Sequence, residues 1–170
     1  MPKRARIQML ILDVDGVLTD GGLYYGPDGV ELKRFDIKDG FGIRAALDSG
    51  LHIGIITART SEAVTRRCQE LKIEHVIQGS ADKAADVQKL SAAAGVELEH
   101  VAFLGDDLVD MPAMGLVGYP MAVADAVFEV RDLATFVTEA PGGRGAVREA
   151  VEEFLRAQGK WDAVVAKFKG

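Results

Sequence analysis

Leu10-Ile-Leu-Asp13-Val-Asp15-Gly16-Val-Leu-Thr19-Asp20 is the stretch from which the fold of this chain can be read. An apolar run from Met9 to Leu12 stops at two carboxylates separated by a single valine, and a glycine follows at once. Apolar runs of this length bounded by turn residues read as strands buried on both faces. Such a strand is a rigid mount. Two acids at its C-terminal tip repel each other unless a positive group sits between or beside them. The stretch therefore predicts a buried strand that presents Asp13 and Asp15 to a cation.

The pattern recurs along the chain. His52 to Thr57 is a second apolar strand ending in polar residues, Thr57, Arg59 and Thr60. Val101 to Leu104 is another, followed by Gly105-Asp106-Asp107-Leu-Val-Asp110. Glu74 to Gln78, Met121 to Val123 and Thr135 to Val137 predict shorter strands. Helices are expected from about Phe41 to Asp48 and from Glu62 to Leu71, the first closed by Gly50 and the second capped by Ser61. Lys83 to Ala94, with Gly95 as its stop, Ala146 to Ala157 and Trp161 to Phe168 complete the helical set. Strands alternating with helices predict an α/β fold, a three-layer, doubly wound, Rossmann-like sheet, whose ligands gather at the C-terminal ends of the strands. Leu23 to Tyr25 and Val30 to Phe35, joined by Gly26-Pro-Asp-Gly29, predict a projecting β-hairpin over about 21–37. Pro141-Gly-Gly-Arg144-Gly145 reads as a flexible break that opens a C-terminal tail over about 141–170. No repeat or linker divides the chain, so residues 1–170 read as one domain.

The bulk numbers narrow the function. The chain has 170 residues, enough for one core, with 48% hydrophobic and 27% charged residues, a globular profile. A formal net charge of -6 argues against nucleic acid or an anionic membrane as partner, and leaves room for a small anionic substrate. The single cysteine, Cys68, cannot form an internal disulfide and suits a reducing compartment. The basic start, Met1-Pro-Lys-Arg-Ala-Arg6, leads into too few apolar residues for a signal segment or membrane span, so a cytoplasmic protein is expected.

Asp13 and Asp106 on strand tips, with a backbone carbonyl near Asp15, suit a hard octahedral cation such as Mg²⁺. Lys83 adds a fixed positive charge and Thr57 a hydroxyl donor. Carboxylate, magnesium, hydroxyl and lysine together suit phosphoryl transfer, where catalysis is mostly positioning and charge neutralisation. A carboxylate can itself attack phosphorus, and a second acid two residues on can protonate the leaving oxygen and then activate water. A calcium loop starting at Asp13 fails, because Val17, Leu18 and Tyr24 stand where an EF-hand needs an acid or amide, a glycine and a glutamate. Asp106, Asp107 and Asp110 by themselves would read as a solvated helix N-terminus; Asp13 is what lifts them. His52, His75 and His100 show no ligand spacing, Cys68 has no visible base beside it, and Trp161, Val164, Val165 and Phe168 read as a packing face.

Asp13-Val-Asp15-Gly-Val-Leu-Thr-Asp20, Ile55-Ile-Thr57, Lys83 and Gly105-Asp-Asp-Leu-Val-Asp110 resemble, in order, the four motifs of the haloacid dehalogenase superfamily of phosphatases. The resemblance implies Asp13 as nucleophile and Asp15 as general acid/base. It implies Thr57 and Lys83 as holders of the phosphoryl group, and Asp13, Asp15 (through its carbonyl) and Asp106 as Mg²⁺ ligands, with Asp107 and Asp110 as supporting acids. Thr19-Asp-Gly-Gly22, Phe35-Asp-Ile-Lys-Asp-Gly40, Thr57-Ala-Arg59 and Gln78-Gly79 are similar to the 3-deoxy-D-manno-octulosonate 8-phosphate phosphatase family of lipopolysaccharide precursor synthesis. That likeness implies a small sugar-acid phosphate as substrate, bound by Asp15, Asp36, Ile37, Lys38, Asp39, Gly40, Arg44, Arg59, Arg67 and Lys83. It also implies a homotetramer in which hairpins form a central barrel, neighbouring subunits complete each site, and a tail carrying Arg144 reaches a neighbour. No cap domain fits: after the first motif there is only the hairpin, and between Thr57 and Lys83 only a helix and a short strand. A capless enzyme is expected. A nine-carbon keto-acid 9-phosphate is the alternative substrate. A phospho-accepting or oligomerisation module without turnover is the alternative class; Asp15 argues against the first and the intact Asp13/Asp15/Lys83/Asp106 set against the second.

Overall fold

Met9–Leu12 forms strand β1, and all of its residues are shielded from solvent. The computed structural model describes residues 2–169. β1 is buried because it lies between β4 (His52–Thr57) and β6 (Val101–Gly105), both parallel to it. β5 (His75–Gln78) extends the sheet beyond β4, and β7 (Tyr119–Ala122) and β8 (Phe136–Val137) extend it beyond β6. The six-stranded order β5-β4-β1-β6-β7-β8 is parallel throughout. The chain winds outward from β1 on one side and returns to β6 on the other, so the switch point lies between β1 and β6. In open α/β sheets the ligand crevice opens there, beyond the C-terminal strand ends. Asp13 and Asp106 both stand at that edge.

The helices fall into two layers. α1 (Ile37–Asp48) touches α2 (Glu62–Leu71) and α6 (Ala146–Ala157), and α6 touches α7 (Trp161–Ala166). α3 (Lys83–Ala94) touches α4 (Met111–Met114), which touches α5 (Phe128–Leu133). The core includes Phe103 in the sheet and Phe154 on α6, whose ring meets Tyr119 edge-on at 5.5 Å between centroids.

Several expectations are corrected. α1 starts at Ile37, a turn before the expected Phe41, because the Asp36 carboxylate accepts the Lys38 N–H at 2.7 Å and so caps the helix. Ser61 does precede α2, but its hydroxyl makes no capping bond; its N–H donates to Gln78 Oε1 at 2.8 Å. The short helices α4 and α5 were not expected, since neither is long enough to show a period. The hairpin is present but short, with β2 (Tyr24–Tyr25) antiparallel to β3 (Glu31–Leu32). It leaves Leu23, Tyr24, Tyr25, Val30 and Leu32 exposed.

The largest correction concerns Pro141–Gly145, which is packed tightly in place. Gly143 N–H donates to the Val17 carbonyl at 2.9 Å, and Gly142 N–H to Asp125 Oδ1 at 2.9 Å. Arg34 Nη1 donates to the Gly143 carbonyl at 2.8 Å. The backbones approach so closely that a Cβ on Gly142 would lie 1.7 Å from the Gly16 carbonyl oxygen. The segment that follows is no loose tail: Val147, Val151, Phe154 and Leu155 of α6 are buried in the core.

Candidate active site

Where β1 ends, the chain makes a wide turn from Val14 to Thr19, closed by the Thr19 N–H donating to the Val14 carbonyl at 3.0 Å. The buried Thr19 hydroxyl accepts the N–H groups of Gly16 (3.3 Å) and Gly21 (3.2 Å). Gly16 takes a φ of 92°, a left-handed value that favours glycine, and a Cβ there would sit 2.0 Å from Asp106 Oδ2. Glycine is what lets the first turn and the Asp106 loop approach each other. Asp13 is anchored on the same side, its N–H donating to the Leu104 carbonyl of β6 at 3.1 Å.

Asp13 and Lys83 form the centre. Lys83 opens α3, whose N-terminus is capped by Asp82 accepting the Ala85 N–H at 3.0 Å. The buried Lys83 ammonium reaches Asp13 Oδ1 at 3.0 Å and Asp110 Oδ1 at 2.6 Å. The other oxygen of Asp110 accepts the N–H groups of Asp106 (2.9 Å) and Asp107 (3.3 Å). Asp110 therefore holds both the lysine and the loop that carries Asp106. Asp107 is an exposed cap, accepting the Leu108 N–H at 2.7 Å. Thr57 is buried at the tip of β4, beside β1, and its hydroxyl accepts the Arg59 N–H at 3.3 Å.

Carboxylate oxygens of Asp13, Asp106 and Asp110 come within 4.8 Å of one another. Burial, and then the Asp110 charge, push the Asp13 carboxyl up to about 6, against the pull of Lys83. Burial, then Asp13 and Asp110, push Asp106 up to about 8. Asp106 Oδ1 is buried and has no hydrogen-bond partner among the described residues. With both Asp110 oxygens engaged and Asp13 Oδ1 facing Lys83, the oxygens left for a cation among the described residues are Asp13 Oδ2 and those of Asp106. A buried, unpartnered oxygen among repelling carboxylates fits a hard divalent cation.

The other expected residues divide. Asp15 stands at the rim, its Oδ1 taking a hydrogen bond from Lys33 Nζ. Arg59 is held by Glu31 of β3 through Nη2. Arg67 lies along the first turn of α1, donating to the Asp36 carbonyl at 3.3 Å, where Gly40 leaves room for its guanidinium. Ile37 and Lys38 are exposed on that turn. Arg44 is not brought to the Asp13 of its own chain. It donates to the Leu71 carbonyl at the far end of α2 (3.0 Å) and pairs with Asp48 (2.8 Å). The Asp39 side chain points inward, 1% exposed, and accepts the N–H groups of Gly145 (3.3 Å) and Arg148 (2.9 Å) at the start of α6. Arg144 is exposed, among Lys38, Arg148 and Glu149. Glu31 and Lys33 lie within Val30 to Phe35, which by sequence reads only as the second strand of the hairpin. Cys68 is buried and its thiol is pushed up to about 11 by burial, in keeping with an inert residue.

A parallel sheet that sets Asp13 beside the Lys83 ammonium, next to a cation-ready acid and a buried threonine, suits phosphoryl chemistry. Residues 72–149 match the family described as haloacid dehalogenase-like hydrolase. The 3-deoxy-D-manno-octulosonate 8-phosphate phosphatase KdsC of Escherichia coli K12 is 48% identical over 160 residues, covering 94% of this chain and 85% of that protein. The Moraxella catarrhalis phosphatase of that name, solved with a magnesium ion, a phosphate ion and a KDO molecule, is 41% identical with a TM-score of 0.95, covering 98% of this chain and 96% of that one. The cobalt-bound Haemophilus influenzae enzyme is 38% identical with a TM-score of 0.93, covering 98% and 99%. The chain belongs to the 3-deoxy-D-manno-octulosonate 8-phosphate phosphatase family of haloacid dehalogenase-like hydrolases.

Proposed function

We propose that this chain hydrolyses 3-deoxy-D-manno-octulosonate 8-phosphate to the free sugar acid and inorganic phosphate, with Mg²⁺ as cofactor. The observation that carries the reading is the unpartnered Asp106 Oδ1 buried beside Asp13, itself engaged by Lys83. The relatives whose names state this activity, at 48% identity across most of the chain, support it. Asp13, Asp106 and the carbonyl of Asp15 would hold the metal. Bound there, Mg²⁺ supplies Lewis-acid stabilisation of the phosphoryl oxygens and relieves the repulsion among the acids.

An Asp13 oxygen attacks phosphorus while the bond to the sugar oxygen breaks. Asp15 gives that oxygen a proton, so the sugar leaves as an alcohol and the phosphoryl group stays on Asp13. Asp15 then takes a proton from water, which attacks the phosphoaspartate, releasing phosphate and restoring Asp13. Lys83 balances charge on the phosphoryl oxygens and on Asp13 throughout, and the Thr57 hydroxyl donates to the transferring group.

The same reading places the enzyme in the cytoplasm as a homotetramer. The described residues include no helix long and apolar enough to cross a membrane. The exposed apolar hairpin is marginal alone and gains from burial between copies. Ile37 and Lys38 are exposed on the first turn of α1, and Arg44 is held at the far end of α2, which suits binding of substrate in a neighbouring copy. Phosphate release from the octulosonate 8-phosphate, with and without Mg²⁺, tests the reading. Turnover by the wild type and none by Asp13→Asn is expected. A stable stoichiometric phosphoprotein, or faster hydrolysis of a nine-carbon keto-acid 9-phosphate, would overturn it.

A further inference from the structure

The hairpin does more than project from the sheet. Directly after β3, Lys33 turns back under the site, and its side chain is 2% exposed. An ammonium this enclosed requires carboxylate partners. Lys33 has two: Asp15 Oδ1, to which it donates, and Glu31 Oε1 at 3.1 Å. Glu31 uses its second oxygen to hold Arg59. Asp15, Lys33, Glu31 and Arg59 thus form one chain of alternating charge that runs from the nucleophile's turn to the tip of β4. Among the described residues, Lys33 is the only side chain that hydrogen-bonds the Asp15 carboxylate. The backbone around Asp15 fixes where its Cα lies; Lys33 fixes where its oxygens point.

Resting on the phosphatase reading above, we propose that Lys33, oriented by Glu31, is a positioning residue for Asp15 and aims its carboxyl at the leaving-group oxygen. Lys33 touches neither phosphorus nor the leaving oxygen and acts only through Asp15. A sugar alkoxide is a poor leaving group and needs the proton that Asp15 delivers. A p-nitrophenolate leaves readily without one. Because kcat/KM covers events only up to the first irreversible step, leaving-group departure, it isolates Asp15 as acid from its later work as base.

The experiment measures kcat/KM with Mg²⁺ on an alkyl ester, the octulosonate 8-phosphate, and on p-nitrophenyl phosphate, for wild type, Asp15→Asn, Lys33→Met and Lys33→Arg. Lys33→Met is expected to lower the alkyl value at least about tenfold more than the aryl value, in the pattern of Asp15→Asn. Lys33→Arg keeps the buried charge, and with it the fold, and is expected to show the same selective loss in smaller measure. Equal loss on both esters in Lys33→Arg, or no loss in either variant, overturns the positioning role while leaving the phosphatase reading intact. Absence of phosphate release by the wild type from both esters overturns that reading and the Lys33 role with it.

Discussion

Lys83 Nζ and Asp110 Oδ1 are 2.6 Å apart, closer than Lys83 is to Asp13 at 3.0 Å, so the lysine of the site is held by a second acid as well. Asp110 is fully buried. Its removal leaves a buried ammonium short of one partner and the Asp106 and Asp107 N–H groups without their acceptor. Asp110→Ala is expected to cost about 3 kcal/mol of stability and to lower kcat as Asp106 drifts. Urea unfolding and steady-state kinetics check this; an unchanged midpoint would contradict the role given to Asp110.

Stability and metal should be linked through pH. Asp13 and Asp106 are raised to about 6 and about 8 from an ordinary 3.8. In that interval the metal-free folded chain binds more protons than the unfolded chain, so stability from these groups is present at low pH and is lost as pH rises through their folded values. A divalent cation takes the place of those protons. The gain in Tm on adding Mg²⁺ is expected to be small near pH 5 and larger near pH 8, read by thermal melts in both buffers. A gain independent of pH would mean that the cation binds elsewhere.

Asp39 works as a staple between α1 and α6. Burial raises its carboxyl above the usual value, partly offset by the backbone N–H groups of Arg148 and Gly145. Being raised, it favours the fold most at low pH and loses that contribution as pH rises through its folded value. Asp39→Ala removes the acceptor at the start of α6 and is expected to cost about 1 kcal/mol. Asp39→Asn keeps an acceptor oxygen and should cost less. KM for the sugar-acid phosphate should be unchanged in Asp39→Asn; a several-fold rise would return the side chain to the substrate.

Gly142 presses on the turn that carries Asp15. A methyl group there meets the Gly16 carbonyl oxygen at 1.7 Å and must displace it. Gly142→Ala is expected to lower kcat by up to about 100-fold, the scale of an ångström-sized misplacement. Full activity in a folded Gly142→Ala chain would show that the turn tolerates the shift.

How legible this protein is from its sequence follows the range of each interaction. His52–Thr57 and Lys83–Ala94 have their expected bounds, since apolar runs, caps and stop glycines are local signals. Asp13, Thr57 and Asp106 share one edge because they stand at strand tips of a parallel sheet, and Lys83 reaches Asp13 from the start of α3. The contacts of Lys33, Asp39 and Asp110 were obscure for the opposite reason. Their partners are separated from them by 18, 109 and 27 positions, and nothing periodic marks such pairs. The motif at Asp36–Gly40 gave a position without a direction, and Asp39 turned out to face inward. Pro141–Gly145 is rich in the residues of a flexible loop, yet its glycines serve close approach.

The contact between Gly143 and Val17 also sets an order of events for a growing polypeptide. The turn that follows Asp13 is synthesised well before Gly143, whose N–H it accepts at Val17. A ribosome that has reached α5 has already made every acid and lysine of the site, while the contacts of Gly142 and Gly143 with the turn are still missing. A chain truncated before Pro141 lacks these contacts and the buried face of α6, and is expected to release no phosphate in a direct assay.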